Sequence, residues 1–211
     1  MFIDRNDAAI KLAKKLEKYS NTNGVVLAIP RGGVPIGNII SKKLGLPLEL
    51  VLSKKIGHPR NPEFAIGSVS LDGALIDDHV MDVSMEYIRT EADRLLGILK
   101  EKYKMYMGDR KPTDLKNKTV IIVDDGVATG NTILATVEAI KKKSPKEIII
   151  AVPVASRSAA IKLSKVADEF ICLLTPDYFM GVGQFYQDFS QVTDQDSIQL
   201  LKEVNKTEIV H

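Results

Sequence analysis

The stretch that most constrains this chain is 120–132, Val-Ile-Ile-Val-Asp-Asp-Gly-Val-Ala-Thr-Gly-Asn-Thr. Val120, Ile121, Ile122 and Val123 are four consecutive β-branched residues, which read as a strand buried on both faces inside a parallel sheet. Asp124 and Asp125 fall at its end, followed by a small-residue turn and a helical pattern over 132–143. Two carboxylates therefore sit at the carboxyl end of a strand, where open α/β sheets bind ligands. The backbone amides of 128–132 and the hydroxyls of Thr129 and Thr132 fall at the mouth of a helix. N–H groups there lack intrahelical partners, and the helix dipole adds positive potential. Carboxylates for hydroxyls or a metal, with a phosphate cradle a few residues on, suit a sugar phosphate.

The rest of the chain alternates helix and strand. Ala9, Leu12 or Ala13, Leu16 and Tyr19 share one face of a helix over 4–19 that Asp4 or Asn6 can cap. An apolar strand over 25–29 runs into Pro30-Arg31-Gly32-Gly33, and Val34, Ile36, Ile39, Ile40 and Leu44 predict a helix stopping near Gly45. A strand over 48–52 meets a segment, 53–63, whose prolines, glycine and basic residues read as a surface loop. Asp72-Gly73 between 66–70 and 74–76 is a hairpin signal. Ser84 can cap a long helix marked by Ile88, Ala92, Leu95 and Leu99, which Gly108 and Pro112 close. Further strands at Glu147–Val154 and Glu169–Leu174 flank a helix over 157–165. An aromatic segment, 175–189, precedes a last helix from about Asp196. This order predicts an α/β fold, a Rossmann-like, mostly parallel sheet with helices on both faces.

Bulk properties narrow the function classes. The 211 residues can bury one sizeable core, so 1–211 is expected as a single domain. A net charge of +2 gives no electrostatic reason to expect nucleic acid or a membrane surface. A lone Cys172 excludes an internal disulfide and makes a reducing, cytoplasmic setting the default. Neither a signal peptide nor a membrane-spanning run is visible. His58, His79 and His211 show no metal-ligand spacing with Cys172.

By its residues, 120–132 resembles the phosphoribosyl-diphosphate (PRPP) signature of type I phosphoribosyltransferases: four apolar residues, two acids, a short variable piece and Thr-Gly-x-Thr. Receiver domains also end a strand in paired acids, but near the start of the chain and without Thr-Gly-x-Thr behind them. Arg31-Gly32-Gly33 is similar to the family's diphosphate loop, and the basic segment 54–63 stands where the family has a mobile catalytic loop. The likeness covers most of 25–190. Lys55 to Gly67, with Phe185-Tyr186-x-Asp188-Phe189, looks like a branch of predicted bacterial phosphoribosyltransferases.

The resemblance implies that Asp124 and Asp125 accept hydrogen bonds from the ribose hydroxyls and stabilise positive charge developing at the anomeric carbon. It implies that Ala128, Thr129, Gly130, Asn131 and Thr132 hold the 5′-phosphate. Arg31, Gly32 and Gly33 would take the diphosphate, with a non-proline cis peptide between Pro30 and Arg31. Mg²⁺ would bridge ribose hydroxyls and diphosphate, meeting Asp124 and Asp125 indirectly through hydroxyls or water. Lys54 or Lys55 could close over the diphosphate; Arg31 and Lys55 join the two acids as the expected catalytic set. The hood is expected from the N-terminal helix and roughly 175–195, and a mobile loop with hairpin from roughly 53–77.

The acceptor is less constrained. Many purine-salvage relatives carry an acid just before Thr-Gly, suited to act as general base, where this chain has Ala128. Adenine and uracil phosphoribosyltransferases also show Ala there, so the base would be Glu63 or the nucleophile itself. Pro176-Asp177-Tyr178-Phe179 looks like the hood of hypoxanthine-type enzymes, which implies that Phe179 stacks on the acceptor, with Tyr186 and Asp188 nearby. The reading at this stage is Mg²⁺-dependent transfer of a 5-phosphoribosyl group from PRPP to a nitrogen acceptor such as a nucleobase. A non-catalytic PRPP-binding regulator is the alternative. A homodimer is common among such relatives.

Overall fold

Apolar strands joined by helices leave little choice but parallel pairing, because each crossover returns the chain to the end of the sheet at which the previous strand began. The computed structural model describes residues 1–77 and 82–207. The chain opens with α1 (Arg5–Lys15), β1 (Gly24–Ala28), α2 (Gly33–Leu44) and β2 (Leu48–Leu50). It continues through β3 (Ser53–His58), β4 (Asn61–Ser70), β5 (Gly73–Ile76) and α3 (Met85–Met107). Then come β6 (Thr119–Val123), α4 (Asn131–Lys141), β7 (Glu147–Val154), α5 (Arg157–Leu163), β8 (Glu169–Leu174) and α6 (Asp194–Thr207). His79 and His211 lie outside the described residues. Among the described residues, no helix is long and apolar enough to cross a membrane.

The chain divides into two compact units, one of Met1–Leu50 with the chain from Lys111 onward, the other of Val51–Arg110. The first holds a five-stranded, all-parallel sheet in the order β2-β1-β6-β7-β8. β1 and β6 are buried at every residue, as strands covered on both faces must be. From β1 the chain crosses to β2 on one side, and from β6 to β7 and β8 on the other. Right-handed crossovers then put α2 on one face and α4 and α5 on the opposite face. The order reverses between β1 and β6, so the loops after these two strands share the switch point where such sheets bind ligands.

The local signals for helix ends hold in detail. The Asp4 carboxylate accepts the Asp7 N–H at 2.8 Å and caps α1. α1 is shorter than its apolar spacing suggests, and Leu16 and Tyr19 continue the buried stripe through a 3-10 turn at Glu17–Tyr19. α2 closes on Gly45 at φ 65°, where a Cβ would also stand 2.7 Å from Asn21 Oδ1.

The second unit corrects one expectation. Residues 53–63 are not a loop but the two arms of a hairpin, β3 and β4, in an antiparallel sheet ordered β3-β4-β5 and covered by α3. The prolines and glycine that suggested a loop instead accommodate a bulge. The register shifts on both sides of Gly57, passing from Gly57↔Ala65 to His58↔Asn61 and leaving Pro62 outside the ladder. Any Cβ on Gly57 would fall 2.6 Å from the Pro62 carbonyl oxygen. Ile56, Ile66 and Val69 supply the buried face, and Ile88, Leu95 and Leu99 of α3 are buried as their spacing predicts. The Asp72-Gly73 turn joins β4 to β5 as expected.

Candidate active site

Parallel pairing in register sets the site. Ala28 at the end of β1 lies opposite Val123 at the end of β6, so both chains leave the sheet at one level. The Ile29 N–H still donates to the Val123 carbonyl at 3.0 Å before the chains diverge. The Pro30-Arg31 peptide is cis, as the resemblance implies. The next two residues then pass against the acids. A Cβ on Gly32 would lie 2.0 Å from Asp125 Oδ2, and one on Gly33 would lie 2.7 Å from the Val123 carbonyl oxygen and 3.1 Å from the Asp124 Cα. Only glycine permits that approach.

The two carboxylates occupy unlike surroundings. Asp124 is half-buried, and its Oδ1 accepts the Asp125 N–H at 2.9 Å. Burial, and then the negative charge of Asp125 beside it, hold its carboxyl well above the usual carboxylate range. Burial raises Asp125 as well, opposed by the charge and hydrogen bonds of Arg5. Arg5 Nε and Nη2 both reach Asp125 Oδ2, at 2.9 and 2.8 Å. The Tyr186 hydroxyl donates to the Asp125 backbone carbonyl at 2.6 Å, and burial keeps that phenol protonated.

Beyond the acids the chain pairs briefly with β7, through Val127 opposite Ala155, and turns into α4. Gly130 takes φ 76° at the helix N-cap, a conformation that L side chains rarely adopt. The Ser156 hydroxyl donates to the Ala128 carbonyl at 2.6 Å. Lys162 of α5 spans the mouth, with Nζ 3.1 Å from the Thr129 carbonyl and 2.9 Å from Asn131 Oδ1. Ala128, Thr129, Asn131 and Thr132 are exposed there. The turn is clamped by neighbouring strand and helix, with the first amides of α4 behind it, and such a helix N-terminus carries positive potential.

Arg31 is exposed, and its Nη1 stands 3.9 Å from Asp194 Oδ1. A cavity of about 340 Å³ is lined by Arg5, Arg31, Gly32, Phe189, Gln191 and Val192. A second, of similar size, lies among residues that include Asp4, Arg5, Pro35, Asp188 and Ser190. The hood residues take different places. Phe179 is half-buried against Phe185 at 5.5 Å between ring centroids. Tyr186 is buried between Phe2 and Phe189, with its hydroxyl on Asp125. Asp188 is exposed and accepts the Ser190 N–H at 2.9 Å. The N-terminal segment meets this stretch through the Phe2 N–H on the Phe185 carbonyl and the Asp188 N–H on the Ile3 carbonyl.

Lys54 and Lys55 belong to the second unit, on β3, where Lys55 Nζ is 2.9 Å from Glu63 Oε2. That hydrogen bond lowers the Glu63 carboxyl below its usual range and makes it a poorer base. Among the described residues, no cluster of three or more His, Cys, Asp or Glu side chains forms a metal cage. Cys172 is half-buried on β8, and burial pushes its thiol up. Sequence reasoning missed Arg5 and Lys162. One signal for Arg5 was available: a cation in the first turn of a helix opposes the dipole, so it needs a partner elsewhere.

A family model described as the phosphoribosyl transferase domain matches residues 4–190. Rv0571c of Mycobacterium tuberculosis, provisionally named a phosphoribosyl transferase, is 32% identical over 210 residues, covering 98% of this chain and 47% of its own length. The chain thus spans about half the length of that relative. The crystal structure of TT1426 from Thermus thermophilus superposes with a TM-score of 0.85 at 36% identity, covering 96% of this chain and 98% of that one. A Neisseria gonorrhoeae protein crystallised with ppGpp shares the fold at 14% identity and a TM-score of 0.51, covering 96% of this chain and 98% of its own.

Proposed function

Because the chain belongs to the phosphoribosyl transferase domain family, we propose that it transfers the 5-phosphoribosyl group of PRPP to a nitrogen acceptor of nucleobase type, releasing diphosphate. The observation that carries this reading is the contact of Gly32 and Gly33 with Asp125 and Asp124, beside a helix mouth open to an anion. Those three parts match the three charged or hydroxylated portions of such a donor. Asp124 and Asp125 accept the ribose hydroxyls. The turn from Ala128 to Thr132 takes the 5′-phosphate, and Arg31 with the amides of Gly32 and Gly33 takes the diphosphate.

The anomeric carbon loses diphosphate as the acceptor nitrogen bonds to it, and carboxylates nearby stabilise the positive charge that develops. The acceptor's N–H proton needs a destination. Ala128 offers none, which favours an acceptor that is itself already anionic. Asp124 and Asp125 offer hard oxygens, and since among the described residues no three His, Cys, Asp or Glu side chains form a cage, they would hold a Mg²⁺ ion arriving with the donor only through hydroxyls or water. When bound, that ion would neutralise charge on the leaving diphosphate.

Calorimetry with PRPP and Mg²⁺ tests the donor half: tight binding is expected, sharply weakened in Asp124→Asn and Thr132→Ala. Incubation with PRPP and a panel of nucleobases tests transfer by diphosphate release. Binding without release across the panel would turn the reading to a PRPP-binding regulator.

A further inference from the structure

Arg5 reaches the site from outside both loops that build it. Nε and Nη2 converge on a single oxygen, Oδ2 of Asp125, while Nη1 donates to the Ser190 carbonyl at 2.8 Å. Its guanidinium carbon lies 3.9 Å from the centroid of the Phe189 ring. Phe189 packs against Tyr186, and Tyr186 against Phe2, at 5.0 and 5.3 Å between centroids. The same Tyr186 holds the Asp125 backbone carbonyl. Asp125 is thus gripped at carboxylate and carbonyl by one stack, drawn from the first residues of the chain and from the segment around 186–190.

All three guanidinium nitrogens are engaged, and the Arg5 side chain is only 12% exposed. Arg5 is therefore poorly placed to be a first contact for a bound anion. What it controls is the orientation of Asp125. The Gly32 backbone also closes against the same carboxyl, since a Cβ there would overlap Oδ2 and lie 2.8 Å from Oδ1. Among the described residues, Arg5 is the one side chain that donates to the Asp125 carboxylate.

We propose that Arg5 is a positioning residue for Asp125: it occupies Oδ2, fixes the carboxylate in one rotamer and thereby turns Oδ1 to the donor's ribose hydroxyl. The proposal rests on the reading of Asp125 as a ribose-hydroxyl acceptor. A planar fork gripping one oxygen from two nitrogens sets direction as well as charge, which a lysine ammonium cannot reproduce. Phe189 and the Ser190 carbonyl hold the fork in place, so the stretch after Tyr186 is linked to donor affinity without touching the donor.

The test is a double-mutant cycle on the full chain, read as PRPP affinity by calorimetry in the presence of Mg²⁺, with thermal melting alongside. Arg5→Ala is expected to weaken PRPP about tenfold or more, the scale of one lost charge-assisted hydrogen bond. Arg5→Lys should recover less than half of that loss on a logarithmic scale. In an Asp125→Asn background, Arg5→Ala should add little, because the oxygen it orients has lost its charge. If Arg5→Ala does not fold, Arg5→Lys and Arg5→Gln carry the same cycle. Losses that multiply fully in the double variant, or a lowered melting temperature with unchanged affinity, would overturn the proposal and leave the donor reading standing. No binding by the unaltered chain would overturn both.

Discussion

Gly32 touches Asp125 so closely that no side chain can stand between them: a Cβ at position 32 would lie 2.0 Å from Oδ2 and 2.3 Å from Cγ. The contact joins two loops distant in sequence. It exists because β1 and β6 pair in parallel and end together, Ala28 opposite Val123.

Gly32→Ala is therefore expected to push the Asp125 carboxylate off its place beside Arg5. Overpacking of this kind costs about 1–3 kcal/mol. For a chain of this size each kcal/mol lowers the melting temperature by about 2–4 °C. PRPP affinity should fall by more than the melting temperature alone suggests, because the displaced group is the one proposed to bind ribose. Calorimetry and thermal melting of the same preparation check this, and unchanged PRPP affinity would refute it.

Tyr186 separates an anchoring role from an acceptor-contact role. Its hydroxyl donates to the Asp125 carbonyl at 2.6 Å, and its ring is buried between Phe2 and Phe189. Tyr186→Phe leaves the ring in place and removes the donor, at a cost of about 1–3 kcal/mol for a buried carbonyl left unpaired. The expected outcome is lower stability in urea with little change in KM for an acceptor. A large rise in acceptor KM at unchanged stability would instead place the hydroxyl against the acceptor.

How much of this was legible in the sequence depends on how local each signal was. β1, β6 and β7 could be read because strands buried on both faces leave unbroken apolar runs. Asp124, Asp125 and the Thr129-Gly130-Asn131-Thr132 turn could be read because strand, acids and helix mouth are consecutive. The hairpin at Ser53–His58 and Asn61–Ser70 was hidden because its bulge needs the residues that ordinarily mark a loop, Gly57 and Pro62. Arg5 was hidden for another reason. Its partners are Asp125, Phe189 and Ser190, and a cation in the first turn of a helix signals only that a partner lies elsewhere, not which residues across the chain supply it.

The acid pair also predicts a dependence of stability on pH. The folded Asp124 carboxyl is held above its ordinary range, first by burial and then by Asp125. The unfolded chain has no such effect, so between the ordinary and the raised value the native state carries more of the proton. Stability then falls as pH rises through that window, because the slope follows the protons bound in the unfolded state minus those bound in the native one. Asparagine at 124 escapes the penalty, since it is neutral throughout and its Oδ1 can still accept the Asp125 N–H. Asp124→Asn should therefore melt above the unaltered protein at pH 8, with the difference shrinking as pH falls toward 4, while PRPP binding is sharply weakened at every pH. Thermal melts across that range decide it: a difference that stays constant with pH would mean that the Asp124 charge carries no burial cost in the folded chain. A shrinking difference would identify Asp124 as a residue retained for binding at the expense of stability, as expected where a site must hold two carboxylates together.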